Sequence, residues 1–193
     1  AALRMADTVV RWVGKSNPEL AMLIMGWIVS IPVFCDSGFV ILNPIRKALV
    51  KRTMKSSVAC TVALSLGLYI SHCFIPPTPG PIAAANTLYQ GLGQETNLLL
   101  VIVMGVLGSI LPLIASFIFA KAIGKKVRAN DEADLDAEIS QSYEELVASY
   151  GKLPSALSSF APIVVPILLM AFSSILTMAG VASPLFTFLG TPI

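Results

Sequence analysis

The chain has 193 residues, 55% of them hydrophobic and 12% charged, with a mean hydropathy of +0.81 and a formal net charge of +2. Soluble domains carry about 25% charged residues, so this composition excludes an ordinary soluble domain and defines an integral membrane protein. The small net charge, with no basic or aromatic ladder, excludes a nucleic-acid partner. Cys35, Cys60 and Cys73 all lie in apolar stretches and read as free thiols, without metal-ligand spacing. No cofactor is expected.

Residues 1–19 read as an interfacial amphipathic helix. Leu3, Ala6, Val9, Val10 and Val13 recur at helical spacing, with Arg4, Asp7 and Arg11 between them. Gly14 can end it, Asn17 is a good N-cap for the next helix, and Pro18 and Glu19 suit a first turn.

Residues 20–45 are apolar, interrupted at Ile31 to Gly38. As one helix they would reach roughly 39 Å, enough for a tilted span; they would equally form two arms around a tip. Arg46, Lys47, Lys51, Arg52 and Lys55 follow with no acid among them, which marks a cytoplasmic loop. Arg4, Arg11 and Lys15 precede the run, so both flanks are basic. That favours a re-entrant hairpin tipped by Asp36-Ser37-Gly38.

Residues 56–90 read as a proline-broken helix. A full-length apolar segment, 56–75, meets four prolines and a glycine within Pro76 to Pro81 and resumes as an alanine-rich helix from 82. Proline removes an amide donor and pushes its predecessor out of the α region. In hydrocarbon such a break is tolerated only where it is buried in protein or lines a wet cavity, and it marks the substrate site of many secondary carriers. The other reading is a loop at the membrane surface. Asn97 can cap a return helix, 98–120, followed by Lys121, Lys125 and Lys126.

Residues 121–154 form a polar cytoplasmic linker with an amphipathic helix, whose acids read as a solvated face. Residues 155–193 return to apolar character as a transmembrane or re-entrant segment of a second half. The chain begins at Ala1 and ends in an apolar run, so it reads as part of a longer polypeptide. The fold class is an all-α integral membrane protein: a polytopic helical bundle with a re-entrant hairpin and a broken helix.

Asp36 is the lone charge between Leu20 and Ile45. A charge at membrane depth is costly and usually faces a pathway, where it can load a proton or hold a cation; alternatively it caps an arm of the hairpin through backbone amides. His72, as an imidazole, can carry a proton or donate to substrate hydroxyls, or simply be a hydrogen-bonded interfacial histidine. No Lys or Arg lies within the apolar spans, so an anion would meet amides at broken helix ends, with Ser37, Gly38, Thr78 and Gly80 near it. A channel lacks a carbonyl filter or acidic ring here. An intramembrane serine protease built on Ser37 and His72 lacks the Gly-x-Ser elbow. Neither is favoured, and no enzyme is expected.

Two stretches resemble a known family. Gly26 to Leu42, containing Phe34-Cys35-Asp36-Ser37-Gly38-Phe39 and followed by Pro44, is similar to its pattern of an apolar run, Phe-x-[Asp/Glu]-x-Gly-Phe and a proline. His72-Cys73-Phe74-Ile75-Pro76-Pro77-Thr78-Pro79-Gly80-Pro81 resembles its Val-His-x-x-x-Pro-Pro-[His/Thr]-Pro-Gly-Pro. The family is the gluconate:proton symporters, or gluconate permeases, among the ion-transporter-like secondary carriers. The resemblance implies import of gluconate or a related sugar acid, driven by protons, across a bacterial inner membrane. It places Asp36 and the Pro76–Pro81 break at the transport site, and implies a scaffold of a kind that often dimerises. The alternatives are another organic-anion or amino-acid carrier, or a channel. Proton coupling is assigned to Asp36 and His72, and substrate binding to Ser37, Gly38, Pro77, Thr78, Pro79 and Gly80.

Overall fold

The structure is a computed structural model that describes residues 17–31, 33–127, 155–179 and 188. The interfacial helix, most of the polar linker and the C-terminal part of the last segment therefore lie outside the described residues. The described elements are all helical: α1 (Pro18–Val29), α2 (Cys35–Thr53), α3 (Ser57–Phe74), α4 (Pro79–Gly91), α5 (Leu98–Lys126) and α6 (Ala156–Met178).

The apolar run after Asn17 divides into two arms. α1 starts at Pro18, whose missing N–H is not needed in a first turn. It ends at Ser30, whose amide donates to the Gly26 carbonyl at 3.0 Å and whose hydroxyl donates to the Val33 carbonyl at 3.1 Å. α2 then continues well past the apolar run, to Thr53, and stops at Met54 in the left-handed region (φ 52°). Its buried residues Leu42, Ile45, Ala48 and Leu49 keep helical spacing straight through the basic cluster.

Two sequence expectations are corrected here. Arg46 does not belong to a solvated loop: it lies within α2, 5% exposed, donating from Nη1 to Ser57 Oγ (2.8 Å) and from Nε to Asn43 Oδ1 (2.9 Å). Asn17 occupies the N-cap position without a side-chain cap; its Oδ1 instead accepts from Lys121 Nζ at 3.3 Å, tying the start of α1 to α5. Asn97 does cap α5, accepting from the Leu100 amide at 3.0 Å, and Ser56 caps α3 through Ala59.

α3 is the central element. α1 runs alongside it in the same direction, close enough for backbone contact. A Cβ on Gly26 would fall 2.7 Å from the Leu64 carbonyl oxygen, and one on Gly67 would run into the Leu23 carbonyl. Around this seam lie Ala21, Met22, Leu23, Met25, Ala63, Leu64 and Leu68, all at most 1% exposed. α2 returns antiparallel, with Gly38 against Leu68 and Arg46 against Ser57. α5 is also antiparallel to α3: Gly105 meets the Phe74 carbonyl at one end and Gly124 meets Ser56 and Ala59 at the other. Both open ends of the α1–α2 hairpin thus lie at the end of the bundle where Ser57 and Lys121 sit. The turn between the arms lies at the opposite end of α3.

By length and composition, Ser57–Gly91 (α3, its interruption and α4) and Leu98–Lys126 are each long and apolar enough to cross a membrane. α5 alone rises roughly 43 Å. Its exposed face is strongly apolar: Met104, Leu107, Leu111, Ile114 and Ile118 are all more than half exposed. A face of this kind suits hydrocarbon and not water.

The α1–α3 seam leads to a stability prediction. Gly67→Ala should destabilise the detergent-solubilised protein by about 1–3 kcal/mol or more, as overpacking against backbone does. Gly80→Ala, where an added Cβ meets nothing within 4 Å, should leave the unfolding midpoint within a degree or two of the parent. Equal midpoints for the two variants would contradict the described seam.

Candidate functional site

The second interruption is built from the loss of main-chain donors. Pro76, Pro77, Pro79 and Pro81 have no N–H, so carbonyls in the last turn of α3 lose their usual partners. α3 closes with the Ile75 amide donating to the Ser71 carbonyl at 2.9 Å. The Thr78 hydroxyl then lies 2.8 Å from the His72 carbonyl oxygen and 2.7 Å from that of Ile75, and donates its single proton between them. Thr78 is 6% exposed, and Ile75 and Pro76 are fully buried. The carbonyls that the break frees at His72 and Ile75 are thus bonded within the protein.

The non-helical stretch is shorter than the proline content predicts. α4 already begins at Pro79, with Thr78 as its N-cap residue. Pro79, Gly80 and Pro81 fall in its first turn, where amide donors are dispensable. Only residues 75–78 lie between the helices. Pro77 is half-buried, and Pro79 and Gly80 are exposed.

The hairpin tip lies beside this break. The Phe34 and His72 rings pack at 5.7 Å between centroids, tilted by 56°, within the range of favourable aromatic pairs. Four residues on, a Cβ on Gly38 would fall 2.7 Å from Leu68 Cδ2, so glycine lets the start of α2 close on α3. Phe34 thus joins the hairpin tip to the end of α3, and Gly38 lies against α3 further back, at Leu68. Sequence reasoning assigns no role of its own to Phe34, although it opens the Phe34-Cys35-Asp36-Ser37-Gly38-Phe39 pattern; a pairing across 38 residues has no local signal.

Asp36 and Ser37 occupy the first turn of α2 and are exposed. A carboxylate there is favoured by the helix dipole. The Cys35 thiol also faces Asp36 Oδ1, at 3.7 Å. Asp36 is not the N-cap of the arm, which is Phe34, without a side-chain cap. His72 is half-buried, and its Nδ1 is buried with no hydrogen-bond partner among the described residues. No group of three or more potential metal ligands occurs among the described residues. The contact described between the two interruptions is thus the Phe34 ring at the start of α2 on the His72 ring at the end of α3.

An apolar helical bundle in which two interrupted elements meet beside a buried break has the build of a membrane transport protein. The chain belongs to the GntP permease family: the family described as GntP family permease matches residues 1–193. Three relatives show its range. The Gnt-II system L-idonate transporter of Escherichia coli K12 is 28% identical, covering 100% of this chain and 42% of the relative. A gluconate permease of Pseudomonas aeruginosa is 26% identical, covering 94% and 37%. The D-serine transporter DsdX of Escherichia coli K12 is 29% identical, covering 95% and 39%. The chain spans about two fifths of the length of the curated relatives it matches. No solved structure matches it. The family and these relatives are permeases and transporters, not enzymes.

The clamp at the break leads to a second prediction. Thr78→Val keeps the shape but strands two buried carbonyls, and should cost about 1–3 kcal/mol of stability. Thr78→Ser, which keeps the hydroxyl, should recover most of it in the same unfolding measurement. A valine variant as stable as the serine variant would show that the hydroxyl does not hold the break.

Proposed function

We propose that this protein serves secondary active import of gluconate or a related sugar acid by proton symport, across a bacterial inner membrane. The observation that carries this reading is the meeting of the two interruptions: Phe34 at the tip of one packs on His72 at the end of the other. The hairpin enters and leaves at the end of the bundle where Lys121, Lys125 and Lys126 gather, which by the distribution of basic residues is the cytoplasmic end. Its tip is re-entrant, and Asp36 stands there as the proton-loading carboxylate, with His72 as the second proton-coupling group. Protonating Asp36 removes the charge that opposes an anionic solute and the cost of carrying it through an apolar interior.

The substrate carboxylate meets the first turns of α2 and α4, around Ser37, Gly38, Pro79 and Gly80, where Pro79 and Pro81 leave the Gly80 amide as the donor at the start of α4. There the positive ends of two helix dipoles supply the attraction that no buried Lys or Arg provides. Pro77 and Thr78 shape the break; the hydroxyl of Thr78 donates to backbone, which leaves its oxygen as an acceptor. A scaffold that dimerises through an apolar face fits the exposed side of α5.

The second reading is an amino-acid carrier, which one relative's name, a D-serine transporter, supports. Uptake of labelled gluconate into vesicles, with and without an imposed proton gradient and against unlabelled L-idonate or D-serine, separates the two. In the complete protein, Asp36→Asn should lower gradient-driven uptake by more than tenfold while membrane insertion is unchanged. Uptake in that variant with the parent's pH dependence would remove Asp36 from the coupling.

A further inference from the structure

Charge is divided sharply between the two ends of the bundle. No Asp or Glu occurs between Asp36 and Glu95, or between Glu95 and Asp131. Asp36 and Glu95 both lie at the end that holds the break, in the first turn of α2 and just before the start of α5. At the opposite end the one acid among the described residues is Glu19, which is buried. The exposed charges described there have a single sign: Lys51, Lys55, Lys125 and Lys126.

Close packing brings two lysine-bearing segments to one corner. Gly124 of α5 sits against α3, where an added Cβ would lie 2.5 Å from Ala59 Cβ and 3.1 Å from Ser56 Oγ. Lys55 precedes Ser56, while Lys125 and Lys126 follow Gly124. Neighbouring Cα atoms are about 3.8 Å apart, so the main chain anchors all three lysines beside that contact. The same corner is apolar next to the charge. Met54, beside Lys55, is 88% exposed. On α5, Lys125 stands two and four turns beyond Ile118 and Leu111 on the same face, and Lys126 stands two turns beyond Phe119. Leu111, Ile118 and Phe119 are all more than half exposed. The lysines thus head an exposed apolar strip about 21 Å long.

We infer that Lys55, Lys125 and Lys126 form a docking site for an anionic phospholipid of the cytoplasmic leaflet. The phosphate is held by ammonium groups from both segments, and an acyl chain lies along Phe119, Ile118 and Leu111. Lysine takes phosphate as a point charge, and basic groups between membrane helices on the cytoplasmic side take anionic headgroups in this way. An acidic protein segment, such as the chain's own Asp131 to Glu138, would neutralise the ammonium groups but leave the apolar strip bare. A simple anion would do the same. An anionic amphiphile covers both. A zwitterionic headgroup fits less well, because it brings its own ammonium to a corner already positive. The bound lipid ties the turn between α2 and α3 to the end of α5, whichever solute the protein carries.

The test is the unfolding midpoint of the complete protein in neutral detergent, with added phosphatidylglycerol or with phosphatidylcholine of the same acyl chains. Phosphatidylglycerol should produce a given rise in midpoint at a concentration roughly tenfold lower or less. In the triple variant Lys55→Gln, Lys125→Gln, Lys126→Gln that preference should disappear. In Lys47→Gln, which removes a charge from a half-buried position at the same end of the bundle, it should stay. Each variant is compared with itself with and without lipid, so a change in lipid-free stability does not enter. A triple variant that keeps the parent's preference, or a Lys47→Gln variant that loses as much, overturns the site. So does an equal rise with inorganic phosphate, which would leave an anion site with no acyl chain. A parent that responds only after Asp131, Glu132, Asp134, Asp136 and Glu138 are replaced by neutral residues would show that the chain's own acids hold these lysines, and would overturn it too.

Discussion

A run of prolines in an apolar chain creates a shortage of hydrogen-bond donors, and the rest of this structure is arranged around that shortage. A helix that stops inside a membrane protein leaves carbonyls with no water to turn to. The chain confines the damage in two ways. Three of the six residues from Pro76 to Pro81 are absorbed into the first turn of α4, where missing amides do no harm. The remaining carbonyls at His72 and Ile75 share the proton of a buried threonine. What is left is a four-residue gap, held open within protein and flanked by a helix end and a helix start.

The gap has a partner because glycine lets the helices approach. Gly26 and Gly67 bring α1 against α3 with no side chain between their backbones, and Gly38 lets the start of α2 close on Leu68. With α1 fixed along α3, the turn that follows it must fall level with the last turn of α3, where Phe34 reaches His72. At the other end, Arg46 joins α2 to α3 through Ser57, and Lys121 joins α5 to α1 through Asn17. The two interruptions are neighbours as a result of close packing along the whole length of the hairpin.

Much of this layout is visible in the residue order. The prolines, the lone Asp36 in its apolar run, the Pro18 start and the Asn97 cap are local signals, and local physics produces them. The pieces that escaped are those decided at a distance. Arg46 reads as part of a basic loop because charge dominates its neighbourhood; the helical spacing of Leu42, Ile45, Ala48 and Leu49 on the opposite side of the count is what carries α2 through. Asn17 has the composition of a cap, but a lysine 104 residues later takes its side chain. The bonds from the Thr78 hydroxyl to the carbonyls of His72 and Ile75 have no signal in the residue order. The pairing of Phe34 with His72 depends on the α1–α3 seam and leaves no trace in either stretch alone.

The contact between the hairpin tip and the helix break is open to direct measurement by proximity. The complete protein, with Cys35, Cys60 and Cys73 replaced by alanine and carrying Phe34→Cys and His72→Cys, is treated in membranes with a short bifunctional thiol reagent, then cleaved between residues 53 and 57. The two fragments should stay joined, and should separate when either substitution is present alone. Fragments that separate although both thiols are individually reactive would mean that the tip and the break do not share a site.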